Sequence, residues 1–393
     1  MSGCPECPWC PAVGAFPLLT FCLSSEITYF GGSILQSYYR TRMSTEEPKL
    51  KKARTEEEQL SGLPSDWTKV FTLVEPRLKE QGFSSLKELI VTIFERGGFE
   101  MDKKASDAIP RMVAKIADGY NSTPYHNFGH ATHVFLNSFV LLQGSSVIFT
   151  PLERAAMLFS ALIHDLGHEG VPNMQLVKED HPLASKYNKS SVAENFSIDE
   201  GLATIENEEY NIFGGFSEEE MIRFKELVRS IVLATDIGNQ DRVKRIYSEI
   251  GTAVQSFKEC QKSGVGHDEN SVKLDSSVEA NRVNLLCLIM KLADVGSSFQ
   301  HVNTSKHWIH NFYSENVAAN RNGRGPEVNA VLFLEDQEKF FHSYIKHLHS
   351  VVASTGMLPP PFIEAMDKNF HTLIGVWNSE SAVMLSQWKE EKA

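Results

Sequence analysis

The sequence predicts an all-α protein, a compact multi-helix body, on three observations. From about Leu63 onward apolar residues recur at helical spacing, while the alternation of a half-buried strand is scarce. Pro, Gly, Ser, Asn and Asp interrupt that pattern as helix caps and breakers do. The most apolar segments end in ALIHD and KLAD, so helices are expected to carry polar groups at their tips.

Residues 1–61 are expected to form a disordered or weakly ordered extension, and residues 62–393 the folded body. The extension holds Cys4, Cys7, Cys10 and Cys22. CPECPWC offers three close thiols where a structural zinc site wants four ligands, which weakens a metal reading there. Acylation of that cluster would tether the chain to a membrane. Residues 11–25 are uncharged but too short and mixed to span one, and no basic stretch precedes them as in a secretory signal. KLKKAR at 49–54 reads as a solvated tail, with a nuclear signal as the alternative.

In the body, Ser122 and Thr123 before Pro124 read as the start of a helix carrying both His126 and His130. Residues 152–164 place Ala155, Ala156, Leu158, Phe159, Leu162 and Ile163 on a buried side and deliver His164 and Asp165 at the end. Residues 188–207, with a Ser-rich cap, and 219–235 read as two further helices. Residues 261–280 are polar and read as a surface loop. Residues 282–293 (RVNLLCLIMKLA) are strongly apolar and lead into Asp294. A loop is expected over 318–330, a helix over 334–350, and a break at Pro359–Pro361 before the last helix. There is no internal repeat and no glycine-rich phosphate loop.

Composition is that of an ordinary globular chain, 42% apolar and 22% charged. A net charge of −12 argues against non-specific nucleic-acid binding. An anionic substrate would have to find its positive charge locally, in metal ions and histidines. Cys260 and Cys287 are isolated in the body, which predicts a reduced, cytoplasmic protein without a disulfide framework. Membrane association through the extension is the alternative.

Residues 121–170 carry the densest chemistry. His126 with His130, and His164 with His168, stand four apart, and Asp165 follows His164 directly. Residues four apart share a helix face. A lone His–Asp pair is usually a cap or a surface feature. Two such clusters joined by a helix-length apolar segment are harder to obtain by chance. Asp294 ends a very apolar helix, where an unpaired carboxylate is costly to bury. His130, His164, Asp165 and Asp294 supply two imidazoles and two carboxylates, which leave positions for water on a zinc-like ion. One carboxylate bridging to a harder ion such as Mg²⁺ would make a two-metal site suited to displacement at phosphorus.

The order YHN-x-x-H, HD-x-x-H, SSV-x-EN, LATD, AD and Gln337-x-x-Phe340 resembles the catalytic domain of class I cyclic-nucleotide phosphodiesterases, within the HD-type metal phosphohydrolases. The likeness covers roughly residues 62–380. It implies an all-α HD-type catalytic fold and hydrolysis of cAMP, cGMP or both to the 5′-monophosphate, ending a cyclic-nucleotide signal. It implies that His130, His164, Asp165 and Asp294 hold a tight Zn²⁺, with Asp165 bridging to Mg²⁺ or Mn²⁺. The attacking hydroxide would bridge the two metals, and His126 would be the general acid for the 3′ oxygen. His168, Glu194 and Thr235 would hold metal waters or orient ligands. Tyr125 would help bind substrate, Gln337 would hydrogen-bond the purine edge, and Phe340 and Phe312 would clamp its faces. Without the resemblance, those two rings read as core aromatics.

Four places depart from the family pattern. Gly167 and Glu169 replace an Asp and a Pro in the HD turn, and Phe196 and Ser197 replace two histidines. Thr132 and His133 alter the segment after His130, and Ser297 stands where many adenine-selective members have Asn. None removes an expected metal ligand. Two other readings stay open: the same metal site acting on another phosphate ester, and a non-catalytic cyclic-nucleotide sensor that keeps the fold. The stretch before residue 62 is expected to hold no folded regulatory domain, which needs about 100 residues or more.

Overall fold

The helix at Pro151–Ile163 is the centre of the body. Its start is fixed locally: Thr150 and Glu153 form a reciprocal capping box, and Pro151 supplies the fixed φ of a first turn. Beyond Arg154 every residue to Ile163 is buried, because the sequence there is apolar on all sides. A computed structural model describes residues 86–95, 101–262 and 272–390. The expected extension at 1–61, and residues 263–271 of the expected loop, lie outside the described residues.

Along the chain the helices are α1 (Leu86–Glu95), α2 (Lys103–Asp118), α3 (Phe128–Gly144) and α4 (Pro151–Ile163), then the short α5 (Asn173–Lys178) and α6 (Pro182–Lys186). They continue with α7 (Val192–Glu206), α8 (Glu218–Leu233), α9 (Gln240–Lys262) and α10 (Glu279–Asp294). A 3₁₀ turn at Gly296–Phe299 leads to α11 (Val302–Arg321) and α12 (Ala330–Phe340). A π-helical turn, Phe341–Ile345, joins α12 to α13 (Lys346–Thr355), and α14 (Pro360–Glu390) follows. No strand occurs among the described residues. The fold is all-α, as the periodicity predicts.

Helices α3, α8 and α10 pack around α4. Phe159 of α4 meets Phe213 and Phe224, each with ring centroids 5.6 Å away. A fully buried ring of this kind contributes about 1.5–3 kcal/mol. Helix α10 is buried from Leu285 to Ala293, and Arg282 near its start pairs with the buried Glu153 at 2.9 Å. The two helices that end in site residues, α4 and α10, are therefore pinned at their starts as well as along their lengths.

Several boundaries differ from expectation. The helix after Pro124 begins only at Phe128, with Asn127 as its cap. Asn127 accepts from the His130 amide and donates to the carbonyls of Thr123 and Pro124, which holds 123–127 as a turn. His126 is therefore off the helix. Likewise α4 ends at Ile163, and Gly167 adopts φ +75, so His168 lies beyond a tight turn. Neither histidine pair shares one helix face. Ser191 has φ 45 and does not cap α7; its hydroxyl donates to Asp236 at 2.7 Å. Helix α11 runs to Arg321, which shortens the loop expected over 318–330, and the helix expected over 334–350 starts at Ala330 and carries the π turn.

Candidate metal centre and active site

Three helix ends meet at one point. His130 comes from the first turn of α3, His164 and Asp165 from the turn after α4, and Asp294 from the last residue of α10. His130 Nε2 lies 3.1 Å from Asp294 Oδ1 and 3.6 Å from Asp165 Oδ2. His164 Nε2 lies 3.0 Å from Asp165 Oδ2 and 3.6 Å from Asp294 Oδ1. Both imidazoles are 1% exposed. Burial by itself would raise the pKa of both carboxyls, but His164 with His126 and His168 holds Asp165, and His130 with His164 holds Asp294, well below the usual range.

The four groups fit a divalent cation. His164 Nδ1 meets the carbonyl of Ala161 at 3.0 Å, so that nitrogen donates and carries the proton. Its Nε2 is buried, off the line a hydrogen bond needs, and faces two carboxylates that raise the His164 pKa well above its usual value against the downward push of burial; a divalent cation would take the place of the proton on Nε2. A backbone acceptor behind a histidine ring is the usual arrangement for a metal ligand. One ring nitrogen each of His130 and His164 and one carboxylate oxygen of Asp294 lie within 4.8 Å of one another.

Beside them stands a second cluster. His126 Nδ1 meets Glu315 Oε1 at 2.5 Å, and Glu315 Oε2 accepts from the amides of Tyr125 and His126 at 2.9 Å each. Glu315 is 4% exposed and sits on α11, 189 residues from His126. Burial lowers the His126 pKa, but the charges of Asp165, Glu315 and Asp294 overcome it and bring it to about 9. Glu315 itself is held down to about 2 by its contacts with His126, against the upward push of burial. The His126 ring stacks on His168 with centroids 3.8 Å apart. His168 accepts from the Gly170 amide through Nδ1, and burial followed by the His126 charge lowers it to about 4.

The remaining predicted residues scatter around this centre. Glu194 is raised to about 7 by burial and then by the charges of Asp236 and Asp165, so it lies in the field of the tetrad. Thr235 donates its hydroxyl to the carbonyl of Val232 in its own helix end. Tyr125 packs on His130 with centroids 4.6 Å apart and on Phe312 at 5.5 Å, so its ring links the metal-ligand side to Phe312. Phe340 stacks on Tyr344 at 5.3 Å, while Phe312 meets Phe333 at 6.2 Å. Gln337 is half-buried on α12.

Sequence reasoning missed Glu315 altogether, since a glutamate on an amphipathic helix reads as a solvated face. It also left the departures in the HD turn unconnected. A Cβ on Gly167 would lie 2.4 Å from the ring of Phe196, so those two replacements are one packing event. Glu169 pairs with Arg324 at 2.7 Å, and Arg324 also pairs with Glu179 at 2.7 Å.

An all-α body that brings two imidazoles and two carboxylates from three helix ends to one point has the donor set of a helical metal hydrolase. Comparison with known proteins gives the family. A family profile described as 3′5′-cyclic nucleotide phosphodiesterase matches residues 125–355, more than half of the chain. The chain belongs to the 3′,5′-cyclic nucleotide phosphodiesterase family. It is 28% identical over 213 residues to the 3′,5′-cyclic-AMP phosphodiesterase 4C of Rattus norvegicus, a match that takes in 53% of this chain and 38% of that one. The chain thus spans well under half the length of that relative. In fold it resembles the phosphodiesterase domain of the RhoPDE fusion protein from the choanoflagellate Salpingoeca rosetta, with a TM-score of 0.57 and 19% identity over 83% of this chain and 92% of that one. A second structure of the phosphodiesterase domain of the Salpingoeca rosetta rhodopsin phosphodiesterase gives 0.57 and 19% over 85% and 93%.

Proposed function

We propose that this chain hydrolyses a 3′,5′-cyclic nucleotide to the 5′-monophosphate, with His126 as general acid and the tetrad His130, His164, Asp165 and Asp294 as metal ligands. The observation that carries the reading is the pairing of the two clusters: a set of four candidate ligands and, one ring away, a histidine hydrogen-bonded through Nδ1 to a buried carboxylate. Zn²⁺ at the tetrad and Mg²⁺ or Mn²⁺ beside it would acidify a water and neutralise charge on the phosphate.

The chain's own residues account for the rest. Glu315 holds His126 by Nδ1, which leaves Nε2 to deliver a proton to the departing 3′ oxygen. Glu315 also fixes the backbone of Tyr125 and His126, so the acid cannot swing away. Stacking on neutral His168 restricts the ring further. His168, Glu194 and Thr235 would hold metal-bound waters or orient ligands. On the base side, Gln337 would donate and accept along the purine edge, with Tyr125, Phe312 and Phe340 around the ring. Ser297 would offer a small side chain at that edge, which suits cAMP or both cAMP and cGMP.

Kinetics on the purified chain with Mg²⁺, with cAMP and cGMP side by side, test this. Turnover of one or both is expected, with loss of turnover in Asp294→Ala. Hydrolysis that survives Asp294→Ala would rule out the site. Activity that survives joint replacement of Gln337 and Phe340 by Ala would move the substrate to another phosphate ester.

A further inference from the structure

A directional chain of buried hydrogen bonds joins the helices that carry His130 and Asp294. His133, one turn past His130 on α3, meets Gln300 Oε1 through Nε2 at 2.9 Å, and the amide oxygen makes that nitrogen the donor. Gln300 Nε2 donates to Asn137 Oδ1 at 3.0 Å. Asn137 Nδ2 donates to the carbonyl of Ala293 at 2.7 Å, and Ala293 is the residue before Asp294. Asn137 and Gln300 are each 1% exposed, and His133 is 9% exposed.

Each link has a physical reason. The last carbonyls of a helix have no partner within it, so the end of α10 needs a donor from elsewhere. Asn137 reaches it because residue 296 is glycine: a Cβ there would lie 2.4 Å from Asn137 Nδ2. His133 is further held by stacking on Trp308, centroids 5.1 Å apart, and Trp308 in turn touches the ring of His130 at 5.3 Å. The chain therefore starts beside one ligand and ends one residue before another.

We infer that His133, Gln300 and Asn137 are positioning residues that set the separation of Asp294 from His130 and His164, and so the affinity of the tetrad for a divalent cation. This rests on the reading of the tetrad as a metal centre. A network that merely glued the core could be replaced by apolar side chains of the same shape without cost to the site. A network that aims a ligand could not, because outer partners of metal ligands change affinity by about 10- to 100-fold.

The test is zinc affinity, measured on the full chain by competition with a chromophoric chelator. Gln300→Met keeps the volume and removes both of its links; Asn137→Ala removes the donor to Ala293 with a smaller side chain. Each is expected to weaken zinc binding about 10- to 100-fold while far-UV helicity is kept. Met112→Ala is the control: Met112 is fully buried on α2, which packs on α1 and α7. It is expected to lower the melting temperature and leave zinc affinity unchanged. Wild-type zinc affinity in both network variants, or an equal loss in Met112→Ala, overturns the inference. A wild-type chain that binds no zinc overturns it too. A wild-type chain that binds zinc but hydrolyses no cyclic nucleotide removes the functional reading and leaves the inference standing.

Discussion

The metal side and the base side of the candidate site are built in opposite ways. His130 and His164 are 1% exposed, and their Nε2 atoms lie 3.0–3.6 Å from the carboxylates of Asp165 and Asp294. Gln337 and Phe340 are half-buried on one helix, and the nearest ring to Phe340 is Tyr344 from its own helical run. On the metal side, three elements over-determine each atom's place. On the proposed base side, α12 presents Gln337 and Phe340 with no polar contact to a neighbouring element among the described residues, and Tyr125 and Phe312 come from two other segments. Displacement at phosphorus tolerates little misplacement, whereas a flat purine is held by stacking and a few polar contacts. Rigidity is concentrated where the reacting atoms would lie.

Breaking the metal side should therefore cost far more than breaking the base side. Asp294→Ala is expected to lose bound metal and all measurable hydrolysis, read by metal analysis and kinetics on the same sample. His126→Gln should keep its metal and lose about 10²–10⁴-fold in kcat. A fall in metal content instead would make His126 a ligand. The same residue sharpens the comparison through pH. In metal-free protein its folded pKa is about 9 against about 6.5 unfolded, so its contribution to stability is complete below about 6.5 and is lost as pH rises through about 9. An NMR titration of metal-free protein should place the His126 midpoint near 9, and Glu315→Gln should lower it.

Smaller effects come from the scaffold and the base side. Gly167→Ala meets both a positive φ and the Phe196 ring, and should destabilise by about 1–3 kcal/mol. Phe196→Ala in the same chain should recover the packing part but not the backbone part, as thermal melts of the single and double variants would show. Gln337→Ala should raise KM about 5-fold, the worth of one hydrogen bond near 1 kcal/mol, with kcat little changed. A large loss of kcat there would mean that the two sides are coupled more tightly than their contacts suggest.

How far the sequence could be read follows the same division. Helical period, capping residues and apolar runs are local, and they made the all-α fold and the ends of α4 and α10 legible. The convergence of His130, His164, Asp165 and Asp294 was legible because each stands at such an end. The place of His126 was misjudged because Ser122, Thr123 and Pro124 look like a helix start, while Asn127 makes the stronger cap once its amide also closes the preceding turn. Glu315 left no local trace, since its partner is remote in sequence and its burial is a property of the packed helices. The chain from His133 to Ala293 was equally invisible: spacing shows which residues share a helix, not which amide faces which carbonyl.

The π turn at Phe341–Ile345 adds one consequence for how this site can change. It separates Gln337 and Phe340 on α12 from Leu348 and Val352, which are buried on α13. Such a turn holds one residue more than the α-helix around it, and each residue of an α-helix advances the face by about 100°. Removing a single residue from the turn would swing Gln337 and Phe340 by about that angle relative to the anchored half, with no side chain in the pocket altered. On the proposed reading of Gln337 and Phe340, base preference is exposed to changes in length as well as in identity, and one codon gained or lost there would re-aim the two side chains while leaving His130, His164, Asp165 and Asp294 untouched.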